Sequence, residues 1–271
     1  CKTFIAQRVN RRMEDLEIKN FPLNGFGHLG KILDPVKCRD LANWIDAKRP
    51  LNSDIFYQSE AEFESSGRWK NYSPGRNDHN LLLSSDLNLE FIEQNDLFKE
   101  SMQKLCGTDW TIFKKSIIRS VPSRVLPHWA KEKLSGVGRP NINPFIKDEF
   151  QDVQYFLTTD FHQDKTRKDS DFVTVYIYID DVSENDSALY ILLGSHTSGM
   201  SCYPHNLRRD NIDKDLWYYS NQDLNTANRG YKVTGQEGSV VGFHCLTLHG
   251  TGYNNSANPR ISLRYLISRG S

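Results

Sequence analysis

The chain of 271 residues carries 34 Lys plus Arg against 34 Asp plus Glu, a formal net charge of zero, and 38% hydrophobic residues, a composition ordinary for a globular protein. Charge neutrality removes the broad positive field that grips a phosphate backbone, so no nucleic-acid partner is expected. The longest apolar runs, 173–179 and 188–193, are far shorter than the roughly 18–20 residues that span a bilayer, so no membrane partner is expected either.

Five widely spaced cysteines (Cys1, Cys38, Cys106, Cys202, Cys245) contain no C-x-x-C pair; they suggest neither a disulfide framework nor a zinc knuckle and fit a reducing, intracellular and cytoplasmic setting. With Cys1 in place of Met, the natural start, with any targeting segment, is expected to have been trimmed. No internal repeat or Pro/Ser-rich linker interrupts the chain, so a single domain over 1–271 is expected, a mixed helical subregion at 1–108 leading into a β core at 109–271. A monomer suffices for this reading.

In chain order, Asp34 and Pro35 read as an N-cap and first helical residue, followed by Leu41, Ala42, Trp44 and Ile45 at helical spacing to about Ala47. Residues 55–81, rich in Ser, Asn, Gly and Tyr, predict a long surface loop. A second helix is predicted over 95–106, with Leu97, Phe98, Met102 and Leu105 on one face and Gly107 as its stop. From Trp110 onward short β-rich runs follow at 110–119, 154–159, 172–180, 189–193, 238–244 and 261–267. Strands without intervening helices predict a sandwich or jelly roll. Within 172–180, Val173, Val175, Ile177 and Ile179 share one face and Thr174, Tyr176 and Tyr178 the other. Those tyrosines either line a cavity between two sheets or sit at the surface with exposed hydroxyls.

The chemistry concentrates in three short segments. In Phe161-His162-Gln163-Asp164, alternate residues of an extended chain project together, placing an imidazole beside a carboxylate. Leu248-His249-Gly250-Thr251-Gly252 follows the 238–244 strand and offers a third ligand. His162, Asp164 and His249 together make the two-histidine, one-carboxylate set that leaves open positions on non-haem Fe(II); each histidine alone reads equally as a core or surface group. Eleven residues beyond His249, Arg260 and Ser262 share a strand face, a guanidinium and a hydroxyl suited to capturing a carboxylate. Lys165, Arg167 and Lys168 after the first motif, and Arg208 with Arg209 in the 202–231 insert, read either as loops over a pocket mouth contacting a small anionic substrate or as solvated charges balanced by nearby aspartates.

These residues resemble the phytanoyl-CoA dioxygenase-like family of Fe(II)/2-oxoglutarate-dependent oxygenases, whose members carry an H-x-D motif, a distal His before a Gly-Ser/Thr-Gly turn, and an Arg eleven residues later. The 174–181 strand, the 184–196 segment ending Leu193-Gly194-Ser195-His196, and the 238–243 strand are similar too, so the resemblance covers nearly the whole chain. Leu193 stands where Pro is usual, Asp186-Ser187 where Gly is usual and Phe161 where Trp is common. The resemblance implies a double-stranded β-helix (cupin-like jelly roll) core with flanking α elements. It implies Fe(II) on His162, Asp164 and His249, and 2-oxoglutarate on Arg260 and Ser262 with Thr251 and Tyr176 lining its pocket. It also implies O2 as oxidant, with an unactivated C–H of a small molecule hydroxylated, desaturated or cyclised as succinate and CO2 leave, as in small-molecule biosynthesis. Asp164, where related halogenases keep a small residue, disfavours halogenation. A non-catalytic metal-binding jelly-roll sensor and, against the charge balance, a nucleic-acid demethylase are the alternatives.

Overall fold

Two six-stranded sheets face each other in the computed structural model, which describes residues 16–68, 80–82, 87–137, 140–164, 171–201, 205–219, 227–256 and 258–270. With strands numbered in chain order, the first sheet runs β1 (Phe26–Lys31), β10 (Ser239–His244), β5 (Phe172–Tyr178), β12 (Ile261–Ser268), β2 (Thr111–Ser120), β3 (Gln154–Phe156). The second runs β4 (Thr159–His162), β11 (His249–Thr251), β6 (Leu189–Leu193), β9 (Ala227–Val233), β8 (Leu216–Tyr219), β7 (Leu207–Arg209). The strands pair antiparallel except β2 with β3. These curled sheets make the jelly roll, and no helix among the described residues is long and apolar enough to cross a membrane.

The alternation in β5 decides the layering. Val173, Val175 and Ile177 belong to the core between the first sheet and the helices outside it; Tyr176 and Tyr178 belong to the core between the two sheets. Every residue of β5 is buried, which requires apolar cover on both faces. Tyr178 Oη donates to the carbonyl of Val233 at 3.0 Å and ties β5 to the opposite sheet. The tyrosines are therefore interior.

The outer cover comes largely from two helices. Pro35–Lys48 begins where Asp34 accepts from the Lys37 N–H at 2.9 Å and buries Cys38, Leu41 and Ile45. Asp96–Cys106 is capped by Asn95, ends at Gly107 in a positive-φ conformation (φ 86°), and buries Phe98, Met102 and Leu105. Leu97, expected on that face, is 53% exposed; it lies about 100° around the helix from Phe98, off the stripe made by 98, 102 and 105.

Four expectations are corrected. The expected 154–159 strand divides into β3 and β4, because the chain leaves the first sheet after Phe156 and enters the second at Thr159. The N-terminal region holds β1, whose glycines give little strand signal; it forms by pairing Phe26 with Phe243 and Gly27 with Gly242 of β10. Within the expected 55–81 loop, Ile55, Phe56 and Tyr57 are buried and Glu60–Ser65 is helical, while 69–79 lie outside the described residues. The 202–231 insert carries β7, β8 and the start of β9, which extend the second sheet.

Candidate active site

The gap between the sheets closes around His162, Asp164 and His249. His162 ends β4 and His249 opens β11, directly opposite each other in the ladder, with ring centroids 4.2 Å apart. Each imidazole is oriented by a backbone carbonyl: His162 Nδ1 lies 2.8 Å from Asp160 O and His249 Nδ1 2.9 Å from Thr247 O. A carbonyl only accepts, so both rings carry the proton on Nδ1 and present the Nε2 lone pair. His249 Nε2 is 3.8 Å from Asp164 Oδ1, and one donor atom from each of the three residues lies within 4.8 Å of the others. Two imidazole nitrogens and one carboxylate oxygen suit Fe(II), and leave part of its coordination sphere free.

The local chain makes this close approach possible. A Cβ on Gly250 would come within 2.6 Å of Thr159 O, so only glycine lets β11 lie this tightly on β4. Thr251 Oγ1 accepts from the Thr159 N–H at 3.0 Å, and Thr158 Oγ1 donates to Thr251 O at 2.6 Å. Gln163 points away from the triad and bonds the backbone of Gly199, Ser201 and Leu246.

Both oxygens of Asp164 are held. Arg264 Nη2 donates to Oδ1 at 2.6 Å and Thr174 Oγ1 to Oδ2 at 2.6 Å. Burial alone would raise the Asp164 carboxyl, but chiefly the Arg264 guanidinium, helped by the Thr174 hydroxyl, holds it well below the usual carboxylate range. Burial, reinforced by His162, pushes His249 down to about 3. At neutral pH the carboxylate is charged and His249 is neutral, the protonation states that metal ligation requires.

Three of the four expected co-substrate residues, Tyr176, Thr251 and Arg260, gather beside the triad and line a cavity of about 50 Å³. Arg260 is 2% exposed; its Nη1 donates to Ser187 O at 2.5 Å, its guanidinium lies 5.1 Å from the Phe156 ring centre, and its Nε has no partner among the described residues. Ser187 has φ 58°, the left-handed region that costs a non-glycine residue about 1–2 kcal/mol. Its hydroxyl holds Gly252 O at 2.7 Å. Ser262 lies on the same face of β12 as Arg260, fully buried, with its Oγ unpartnered among the described residues, but outside the cavity wall. A neighbouring cavity of about 270 Å³ shares Gln154, Phe156, Thr159 and His162 with the first.

Not every expected residue arrives. Lys165, Arg167 and Lys168 lie outside the described residues. Arg208 sits on β7, the strand farthest from β4 in the second sheet, with its guanidinium 5.2 Å from the Tyr218 ring centre; it lines neither cavity. Sequence reasoning missed Arg264 and Thr174 as partners of Asp164. The signal was present, since period-two spacing puts 260, 262 and 264 on one face of a strand. A second cluster, Asp171, His244 and Cys245, also brings possible donor atoms together. There the Leu246 N–H donates to His244 Nδ1 at 3.1 Å, which puts the proton on Nε2, 3.0 Å from Asp171 Oδ1; Cys245 Sγ and Arg269 bond the same carboxylate. Its imidazole lone pair is already taken by the Leu246 N–H, whereas His162 and His249 turn Nε2 toward one another's side of the gap.

Residues 21–262 match the family model of phytanoyl-CoA dioxygenase. The chain is 32% identical over 120 residues to a probable alpha-ketoglutarate-dependent hypophosphite dioxygenase of Stutzerimonas stutzeri, a match that takes in 40% of this chain and spans only 37% of that protein's length. Among solved structures, the non-heme alpha ketoglutarate dependent epimerase SnoN from nogalamycin biosynthesis superposes with a TM-score of 0.57 at 14% identity, over 96% of this chain and 84% of its own. The same epimerase in complex with Fe3+, alpha ketoglutarate and nogalamycin RO gives a TM-score of 0.54 at 15% identity, over 96% and 84%. At such identities the likeness is one of fold.

Proposed function

The chain belongs to the phytanoyl-CoA dioxygenase family, and from that premise we propose that it is an Fe(II)/2-oxoglutarate-dependent oxygenase that oxidises an unactivated C–H bond of a small molecule by hydroxylation, desaturation or oxidative ring closure. The observation that carries this reading is the convergence of two imidazole Nε2 atoms and a carboxylate beside a buried arginine whose Nε lacks an acceptor among the described residues. His162, Asp164 and His249 would hold Fe(II). Bound there with 2-oxoglutarate and O2, the metal supplies the oxidising power, and the co-substrate leaves as succinate and CO2.

The protein's own residues do the rest. Arg260 pairs with the distal carboxylate of the co-substrate: a buried guanidinium with an unused donor offers a charge-assisted bond that water does not weaken. Ser262 adds a hydroxyl on the same strand face. Tyr176 and Thr251 form the walls, and Tyr176 is fixed against Phe243 with ring planes 21° apart. Asp160 O and Thr247 O engage Nδ1 of each imidazole, so Nε2 is the nitrogen each ring would offer to the metal. Phe243, 4.4 Å from the His249 ring centre, keeps water from that side.

The substrate reading departs from the anionic molecule expected from sequence. The 270 Å³ cavity is walled by His162 together with Asn141, Asn143, Gln154, Thr159 and Asp160, and no Lys or Arg lines it among the described residues. Carboxamides and hydroxyls there support a small polar molecule recognised by hydrogen bonds.

Anaerobic addition of Fe(II) and then 2-oxoglutarate to metal-free protein tests the function. The expected result is a weak visible charge-transfer band that Arg260→Ala abolishes, followed by succinate release once oxygen is admitted. A folded, iron-loaded sample that gives no band overturns the reading.

A further inference from the structure

Arg264 has no place in the mechanism above, yet it occupies the centre of the site. Its Nη2 lies 2.6 Å from Asp164 Oδ1, the same oxygen that faces His249 Nε2 at 3.8 Å. The other oxygen is taken by Thr174. Arg264 also lines the small cavity, and its Nε is buried without an acceptor among the described residues, so Asp164 does not exhaust its donors. It presents a second guanidinium to the space that Arg260 already borders.

The charges do not balance. The described residues of the cavity wall include one carboxylate, Asp164, and two guanidiniums, Arg260 and Arg264. Two guanidiniums outweigh one carboxylate, so these groups give the empty cavity a net charge of one positive. A divalent cation entering alone must displace or share Arg264's hold on Asp164 and raises the total to three positive. A dicarboxylate entering with it lowers the total again to one. Among groups this deeply buried such differences weigh heavily.

We propose, building on the oxygenase reading, that Arg264 is the resident counter-ion of Asp164 and couples occupation of the metal centre to the arrival of the dianionic co-substrate. While the centre is empty, the guanidinium neutralises the carboxylate. Its positive charge disfavours metal alone and favours metal together with 2-oxoglutarate. Because coupling between two ligands is reciprocal, each then tightens the other.

The test uses Mn2+, which is redox-inert here, titrated into metal-free protein with free ion followed by electron paramagnetic resonance, with and without 2-oxoglutarate. For the parent protein, 2-oxoglutarate should tighten Mn2+ binding about tenfold or more. Arg264→Gln should bind Mn2+ alone more tightly than the parent and lose most of that enhancement. Arg264→Lys, which keeps the charge, should retain it. Circular dichroism checks that each variant is folded. If Arg264→Gln binds Mn2+ more weakly and keeps the full enhancement, Arg264 only orients Asp164 and the coupling role is overturned. Loss of the enhancement in Arg264→Lys also overturns it. A folded parent that binds no Mn2+ under either condition removes the oxygenase reading itself, an outcome distinct from both.

Discussion

Thr174→Val isolates one hydrogen bond at the heart of the site. The substitution keeps the side-chain shape and removes Oγ1, which donates to Asp164 Oδ2 at 2.6 Å. Thr174 is fully buried and the Asp164 side chain is 8% exposed, so water does not replace the lost donor. A hydrogen bond to a charged group contributes about 1.5–3 kcal/mol, and the metal-free variant should lose roughly that much stability at neutral pH. At about 2–4 °C per kcal/mol for chains approaching this length, Tm falls by roughly 3–12 °C. The loss carries a pH signature. Asp164 titrates below its unfolded value of about 3.9, so its pairing stabilises the fold above that value and the contribution disappears as pH falls through the folded value. Removing a donor raises the folded value, so parent and variant differ most above about pH 4 and converge below it. Thermal unfolding followed by circular dichroism in the presence of a chelator, repeated across that range, measures the difference. Thr174→Ser, which retains the hydroxyl, should follow the parent profile. A deficit in Thr174→Val that is independent of pH would refute the electrostatic account and leave only packing.

Gly250→Ala should cost about 1–3 kcal/mol and weaken divalent-metal binding, because its Cβ would meet the backbone of Thr159 and Asp160 and part the two strands that carry His162 and His249; urea unfolding and Mn2+ titration check both effects. Arg260→Ala should raise the KM for 2-oxoglutarate by roughly 100-fold, in line with the loss of one partner of a buried charge pair, while Mn2+ affinity in the absence of co-substrate does not fall. Steady-state succinate release separates KM from kcat. Tyr178→Phe removes the hydroxyl that bridges the sheets to Val233 O and should lower stability by about 1–3 kcal/mol in urea unfolding without moving the KM for 2-oxoglutarate.

The legible parts of the protein are those whose cause is local. Asp34 and Asn95 announce helix starts because a side-chain oxygen reaches N–H groups two or three residues ahead, within the same short segment. The layering of β5 is legible because strand geometry forces alternate residues to opposite faces, and the apolar and aromatic residues sort accordingly. The His162, Asp164 and His249 cluster is legible for a related reason: His162 and Asp164 are two residues apart, and His249 with Arg260 sits at a spacing that one family repeats.

The rest depends on partners far away in sequence. β1 is a strand because β10, more than 200 residues later, supplies its hydrogen bonds, and nothing in Phe26-Gly27-His28 advertises that. The break between β3 and β4 marks where the chain changes sheets, a decision made by the strands on either side of it. Arg208, expected at a pocket mouth, is carried by sheet order to the edge farthest from His162. Arg264 and Asp164 lie 100 residues apart and meet because β12 pairs with β5 in a register that sets Arg264 opposite Tyr176, two residues along from Thr174. Sequence by itself determined which chemistry the chain carries and which faces are apolar, since those follow from side-chain type and short-range geometry. Only the tertiary structure decided which charges share a cavity, because register and sheet order are set by the summed burial of whole strands rather than by any residue within them.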